Sequence, residues 1–150
     1  MSSVPERNVP EEHIAAELEI RNLIAALAIN ADVGEIDEYA ALFTDDAVWE
    51  MPANPSMGLE ASVKKGREDI VAGVRERRAS GVQGPGSGTW HSITTQQIAV
   101  SGDEASGRVY YQFLGKVDGK PSMLTLGRYA DRYVRTSDGW RLAHRTIHLG

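Results

Sequence analysis

From Thr89 to Leu149 the chain reads TWHSITTQQIAVSGDEASGRVYYQFLGKVDGKPSMLTLGRYADRYVRTSDGWRLAHRTIHL, and this run decides the fold. It divides into four long segments, Thr89–Ser101, Gly107–Val117, Ser122–Arg135 and Gly139–Leu149, rich in branched and aromatic residues. Between them stand Gly-Asp, Asp-Gly-Lys-Pro and Ser-Asp-Gly, which suit hairpin turns because these residues tolerate positive φ. Such segments predict a meander of antiparallel strands. Long strands with helices packed across one face must curve, and Gly127 is the expected bend.

Upstream the periodicity changes. Asn8-Val9-Pro10-Glu11 reads as a helix start, with a capping Asn, an early proline and acidic residues at the positive end of the helix dipole. Ile20, Leu23, Ile24 and Leu27 then recur at i, i+3, i+4 and i+7, predicting a helix to about Asp32 with Gly34 as a left-handed cap. A second short helix is expected over Ile36–Phe43, a turn at Thr44-Asp45-Asp46 and a strand over 47–51 that stops at Pro52. The stretch from Pro52 to Leu59 reads as a loop, and Gly66-Arg67-Glu68-Asp69 opens a third helix. On it, Arg75, Arg77 and Arg78 read as the wet face. SGVQGPGSG at 80–88 reads as a flexible connector or a flap. Helices first and strands afterwards mean an α+β fold, with N-terminal helices on a strongly curved, mainly antiparallel sheet and a pocket between them. Residues 1–10 are expected to be a flexible tail and 11–150 one domain.

The composition narrows the classes. At 150 residues, 41% apolar and 25% charged, the chain is long and apolar enough for a core, so neither a disordered nor a membrane-spanning reading fits. No apolar run approaches the ~18 residues that cross a bilayer, and MSSVPERNVPEE lacks the apolar core of a secretory signal. The absence of cysteine removes disulfides, thiolate nucleophiles and Cys-based metal sites, and fits a cytoplasmic protein. A net charge of -5 argues against nucleic acid as a partner. GPGSG precedes a strand and lacks the Gly-Lys-Ser/Thr of a phosphate loop; GxGxxG is absent, so no nicotinamide or flavin cofactor is expected. His144 and His148 on one strand face would lie roughly 13 Å apart at ~3.3 Å per residue, too far to share an ion, so no metal is expected.

The run LIAALAINADVGEIDEYAALFTDDAVWEM, then GREDI, TWHSIT and GRYADRYVRTSDGWRLAHR, resembles the SnoaL-like branch of the nuclear transport factor 2-like superfamily over about residues 14–149. The resemblance implies a cone-shaped α+β barrel around an apolar pocket. Its members include dehydratases, dehydrochlorinases, ketosteroid isomerases, polyketide cyclases, epoxide hydrolases and binding modules, so the fold leaves the function open. In the scytalone dehydratase-like members an Asp and a His at the places of Asp32 and His91 form a catalytic dyad. The chemistry is independently reasonable: an imidazole takes and returns protons, and a carboxylate on its other nitrogen fixes the tautomer.

Other family features do not carry over. Met51 stands where the ketosteroid isomerases have their basic Asp, Leu27 where the dehydrochlorinase has a Lys, and 107–117 offers Tyr110, Tyr111 and Gln112 instead of a second His. Tyr39, Tyr111, Arg128 and His144 are the candidates to stabilise developing charge. Trp49, Met51, Met57, Phe113, Met123 and Leu126 are the candidates to line the pocket, with soft methionines fitting varied ligands. The expected activity is that of a cofactor-independent lyase or isomerase on a small hydrophobic or aromatic metabolite. A non-catalytic binding or scaffold role and a polyketide cyclase are the alternatives. An exposed sheet face predicts a homodimer or homotrimer.

Overall fold

The helical spacing around Ile20–Leu27 becomes α1 (Glu11–Asp32), whose Ala16, Ile20, Leu23, Ile24, Leu27 and Ala31 are buried along one stripe. This and all that follows comes from a computed structural model that describes residues 9–150. The capping Asn8 and most of the expected tail lie outside the described residues. Within them α1 starts with the Pro10 carbonyl accepting from the N–H groups of His13 and Ile14, at 2.9 and 3.3 Å. Its far end departs from expectation. Gly34 does not adopt positive φ; a side chain there would instead run into Asn30. Val33 N–H bonds the Ile29 carbonyl at 2.8 Å and closes the last turn.

α2 (Ile36–Ala40) is shorter than expected, because the chain leaves it to begin β1 (Phe43–Met51) at Phe43. The acidic stretch read as a turn lies inside that strand as an irregularity, with pairing interrupted between Phe43 and Val48. Arg67 pins it by donating from Nη2 to the Phe43 carbonyl at 2.6 Å and pairing with Asp45 at 2.9 Å. β2 (Ser62–Lys65), a four-residue edge strand with Val63 as its one large apolar residue, follows a short 3-10 turn at Pro55–Met57. α3 (Arg67–Ala79) then leads into β3 (Trp90–Ser101), β4 (Glu104–Val117), β5 (Lys120–Thr136) and β6 (Gly139–Leu149). The Asp118-Gly119 turn takes positive φ at both residues, 51° and 77°, as a two-residue hairpin with right-handed strand twist requires.

The six strands form one sheet in the order β2-β1-β6-β5-β4-β3, antiparallel except for the β1–β6 pair. The sheet curls around α1 but does not close, since β2 and β3 remain edges. Three one-residue bulges supply the curl: pairing skips Thr94 in β3, Leu124 in β5 and Ala143 in β6. Gly127 serves a different purpose from the expected bend. A Cβ there would lie 2.7 Å from the Tyr111 ring and 2.8 Å from the His148 carbonyl, so glycine makes room for the ring.

Bulges also reverse which residues face inward. Before Ala143 the inward residues of β6 are Trp140 and Leu142; after it they are Arg145 and Ile147. On β4 and β5 the alternation buries Val109, Tyr111, Phe113, Tyr129, Asp131 and Tyr133 on the concave face. These side chains and the α1 stripe form one continuous core.

Candidate functional site

Between α1 and the concave face lies a cavity with about 830 Å³ of empty space counted out to its mouth. Its walls are mostly apolar, including Ile24 and Leu27 from α1, Trp49 and Met51 from β1, and Phe113 from β4. Met57 joins them from the short turn after β1. The polar groups on it are few: Asn54, Arg77, Gln83, His91, Thr125, Arg145 and the hydroxyls of Tyr39, Tyr111 and Tyr129. That balance suits a small, largely apolar ligand oriented by a handful of polar contacts.

His91 and Asp32 meet at one wall. Asp32 ends α1 and is 5% exposed, while His91 is the second residue of β3 and lines the cavity. Asp32 Oδ1 lies 2.7 Å from His91 Nδ1, and Oδ2 accepts from the His91 backbone N–H, also at 2.7 Å. Both oxygens therefore orient a single residue. A carboxylate oxygen accepts, so the contact suits a ring with its hydrogen on Nδ1 and a lone pair on Nε2. Asp32 itself stands behind the ring and is not part of the cavity wall. The imidazole packs against Phe113 at 4.7 Å between ring centroids.

The helix turn bearing Asp32 is held from α3. Arg78 Nη2 donates to the carbonyls of Asn30, Ala31 and Gly34 at 2.7, 3.2 and 2.8 Å, placing a cation at the negative end of the α1 dipole. Beside it Arg77 lines the cavity and donates from Nε to Gln83 Oε1 at 2.9 Å. Of the three arginines read as a wet face only Arg75 is exposed; α3 turns the other two inward. Ser87 and Thr89 tie down the 80–88 connector, with Ser87 Oγ donating to the Gly84 carbonyl at 2.6 Å and Thr89 Oγ1 to that of Val82 at 3.2 Å.

A second polar group was hidden from sequence reasoning. Asp131 and Arg145 face each other across β5 and β6, bonded in bidentate fashion at 2.8 and 2.7 Å, and Tyr133 donates to the same carboxylate at 2.6 Å. Arg145 lies over the Tyr129 ring at 3.7 Å and the Trp49 ring at 5.3 Å, and Tyr129 stacks on Tyr111 at 4.3 Å. Burial acts against the Arg145 charge, but Asp131 outweighs it and raises the guanidinium's pKa, so it stays a cation. Burial likewise raises the Tyr39, Tyr111, Tyr129 and Tyr133 phenols and keeps them neutral. With Nε and Nη2 given to Asp131, Arg145 Nη1 is the nitrogen left for a ligand.

Four expected residues are elsewhere. Arg128 is exposed because its neighbour Tyr129 takes the inward position, and the bulge at Ala143 puts His144 on the convex face. There His144 Nε2 meets Glu50 at 2.8 Å, and with Thr146 this bond holds the Glu50 carboxyl below its ordinary range. Met123 and Leu126 are half-exposed on that convex face as well. Tyr39, Trp49, Met51, Tyr111 and Phe113 all line the cavity. One signal for the missed pair was present: Tyr129, Asp131 and Tyr133 stand at alternate positions of β5, which puts a carboxylate on the face that carries two aromatic rings. The partner's identity depended on the bulge. Among the described residues no group of three or more metal-ligating side chains gathers, and no helix is long and apolar enough to cross a membrane.

The curled sheet and helix-lined cavity define an NTF2-like, cystatin-like fold. The chain belongs to the SnoaL-like domain family, whose model matches residues 12–146. An NTF2-like protein with a cystatin-like fold from Novosphingobium aromaticivorans superposes with a TM-score of 0.77 at 24% identity, over 92% of this chain and 84% of that one. A candidate aromatic ring hydroxylase from the same organism gives 0.66 at 28% identity, over 95% and 92%. A candidate scytalone dehydratase, again from that organism, gives 0.70 at 18% identity, over 92% and 86%. No curated protein matches the chain.

Proposed function

We propose that the protein is a cofactor-independent lyase or isomerase acting on a small hydrophobic metabolite, with His91 as the base. The observation that carries this is the Asp32–His91 contact, 2.7 Å to Nδ1, beside an open apolar cavity. A binding module needs no carboxylate set on an imidazole, and that contact supports an Nδ1–H ring whose Nε2 is free to take a proton. The likeness to a candidate scytalone dehydratase agrees with it, although that likeness reaches only the fold.

In this reading Nε2 removes a proton from a carbon next to a carbonyl. Charge develops on the carbonyl oxygen, where Arg145 Nη1 or a tyrosine hydroxyl donates to it. The imidazolium then returns the proton, either to a leaving hydroxyl, which departs as water, or to another carbon, which shifts the double bond. No electrons are gained or lost, so no oxidant enters. The exposed Trp90, Tyr110, Met123 and Leu126 on the convex face support a homodimer or homotrimer, and sedimentation at the mass of one chain would refute that assembly.

The test is solvent exchange. Ketones carrying an apolar ring are incubated with the protein in D₂O, and deuterium entering the carbon beside the carbonyl is followed by NMR. His91→Ala should slow exchange by ~10²-fold or more, the usual worth of a positioned base. Equal exchange by the wild type and His91→Ala would sink the reading.

A further inference from the structure

Arg77 is the one cavity-lining cation that no carboxylate answers among the described residues. Arg145 has Asp131, and Asp32 is committed through both oxygens to His91. Arg77 forms no ion pair with a described residue; its one side-chain bond runs from Nε to the neutral, buried Gln83. Glu76, its neighbour in sequence, is exposed on α3 and acts on Arg77 only at a distance, without an ion pair. The phenols near Arg77, Tyr39 and Tyr129, are kept neutral by burial, and burial also weakens the hold of Arg77 on its own proton. A half-buried charge of this kind is unfavourable until an anion joins it.

We infer that the cavity is built for an organic acid: an apolar ring body against Trp49, Met51 and Phe113, with its carboxylate held by Arg77. Neither terminal guanidinium nitrogen bonds a described residue, and charge-assisted bonds to a carboxylate are the strong ones. The wall against which the ring would lie is apolar, so a neutral ring compound would gain the same burial without answering the charge. The inference rests on the proposed reading only in taking the cavity as a ligand site. It does not need His91 to be a base.

The probes are 2-naphthoate and 2-naphthamide, which share a ring body and differ in charge. They are titrated into protein carrying ¹³C-methyl methionine. Met51 and Met57 line the cavity and Met123 stands on the convex face, so the methyl that moves reports where the probe sits. Naphthoate should shift Met51 and Met57 and bind roughly tenfold or more tightly than the amide, as one charge-assisted contact implies. Arg77→Gln should bring the two affinities within about twofold, chiefly by weakening the acid, and Arg77→Met should do the same. His91→Ala should keep the preference for the acid, which separates this inference from the base assignment. Equal wild-type affinities, a preference that survives both Arg77 variants, shifts confined to Met123, or no binding of either probe would each overturn it.

Discussion

Replacing Asp32 with Asn changes one atom and should reverse the chemistry of His91. In the native site both Asp32 oxygens accept, one from Nδ1–H and one from the His91 backbone N–H, each at 2.7 Å. An amide has one oxygen and one NH₂ for those two places. The backbone N–H cannot become an acceptor, so the amide oxygen must stay on it and the NH₂ must face Nδ1. Nδ1 then accepts, and the hydrogen moves to Nε2, the nitrogen facing the cavity. The ring keeps its place but loses its free lone pair, which removes the ~10²- to 10⁴-fold worth of a general base. The fold should survive, because both contacts persist in altered form at a loss of ~1–3 kcal/mol, the difference between charged and neutral bonds. Asp32→Ala strands both donors and should be worse for stability. The assay is a long-range ¹H–¹⁵N spectrum of the histidine rings, which distinguishes the tautomers without any substrate. An Nε2–H ring in the wild type, or an unchanged Nδ1–H ring in Asp32→Asn, would refute the reasoning.

Four further outcomes follow from the packing. Asp131→Asn leaves the Arg145 charge buried without its partner and should lower stability in urea by ~3–5 kcal/mol. The double change Asp131→Leu with Arg145→Met should lose less than the sum of the two single changes, and simple additivity would show that the pair is not coupled. Gly127→Ala pushes a Cβ against the Tyr111 ring and the His148 carbonyl, and should lower the urea midpoint by the equivalent of ~1–3 kcal/mol; an unchanged midpoint would mean the ring moves freely. Tyr39, Tyr111, Tyr129 and Tyr133 have raised folded-state pKa values, so the stability they contribute is complete below the ordinary phenol value and drains away as pH climbs past it. Tyrosinate absorbance should therefore rise together with loss of near-ultraviolet dichroism, and four phenols ionising ahead of that loss would contradict their burial.

Long periodic segments made the architecture legible. The four β-segments were readable because their turns carry Gly and Asp at positions that need positive φ, and the α1 stripe because its apolar spacing runs unbroken from Ile20 to Leu27. β2 was not readable: four residues with one large apolar side chain give no period, and pairing with β1 alone makes them a strand. The irregularity in the acidic start of β1 looked like a turn for the same reason, since Arg67, 24 residues beyond Phe43, holds it. In the site, Asp32 and His91 were nameable from residue type and place in the chain, whereas their contact needed the end of α1 to be fixed by Arg78. Arg145 and Arg128 are chemically identical in the sequence. What separates them is which side of the sheet each strand presents, and in β6 that is decided by a single unpaired residue.

That residue is Ala143, and its position makes the cavity unusually easy to rewrite. Deleting it would leave Arg145 inward, but taking it into the ladder as a paired residue would restore strict alternation along β6 and carry His144 inward while Arg145 turned out. The concave surface would exchange a guanidinium for an imidazole with no side chain altered, only the register in which the strand pairs. A one-residue slip of pairing here thus changes the chemistry offered to the cavity while the order of the strands stays the same. Chains with this fold should accordingly be aligned by which face their last strand offers and not by residue number alone.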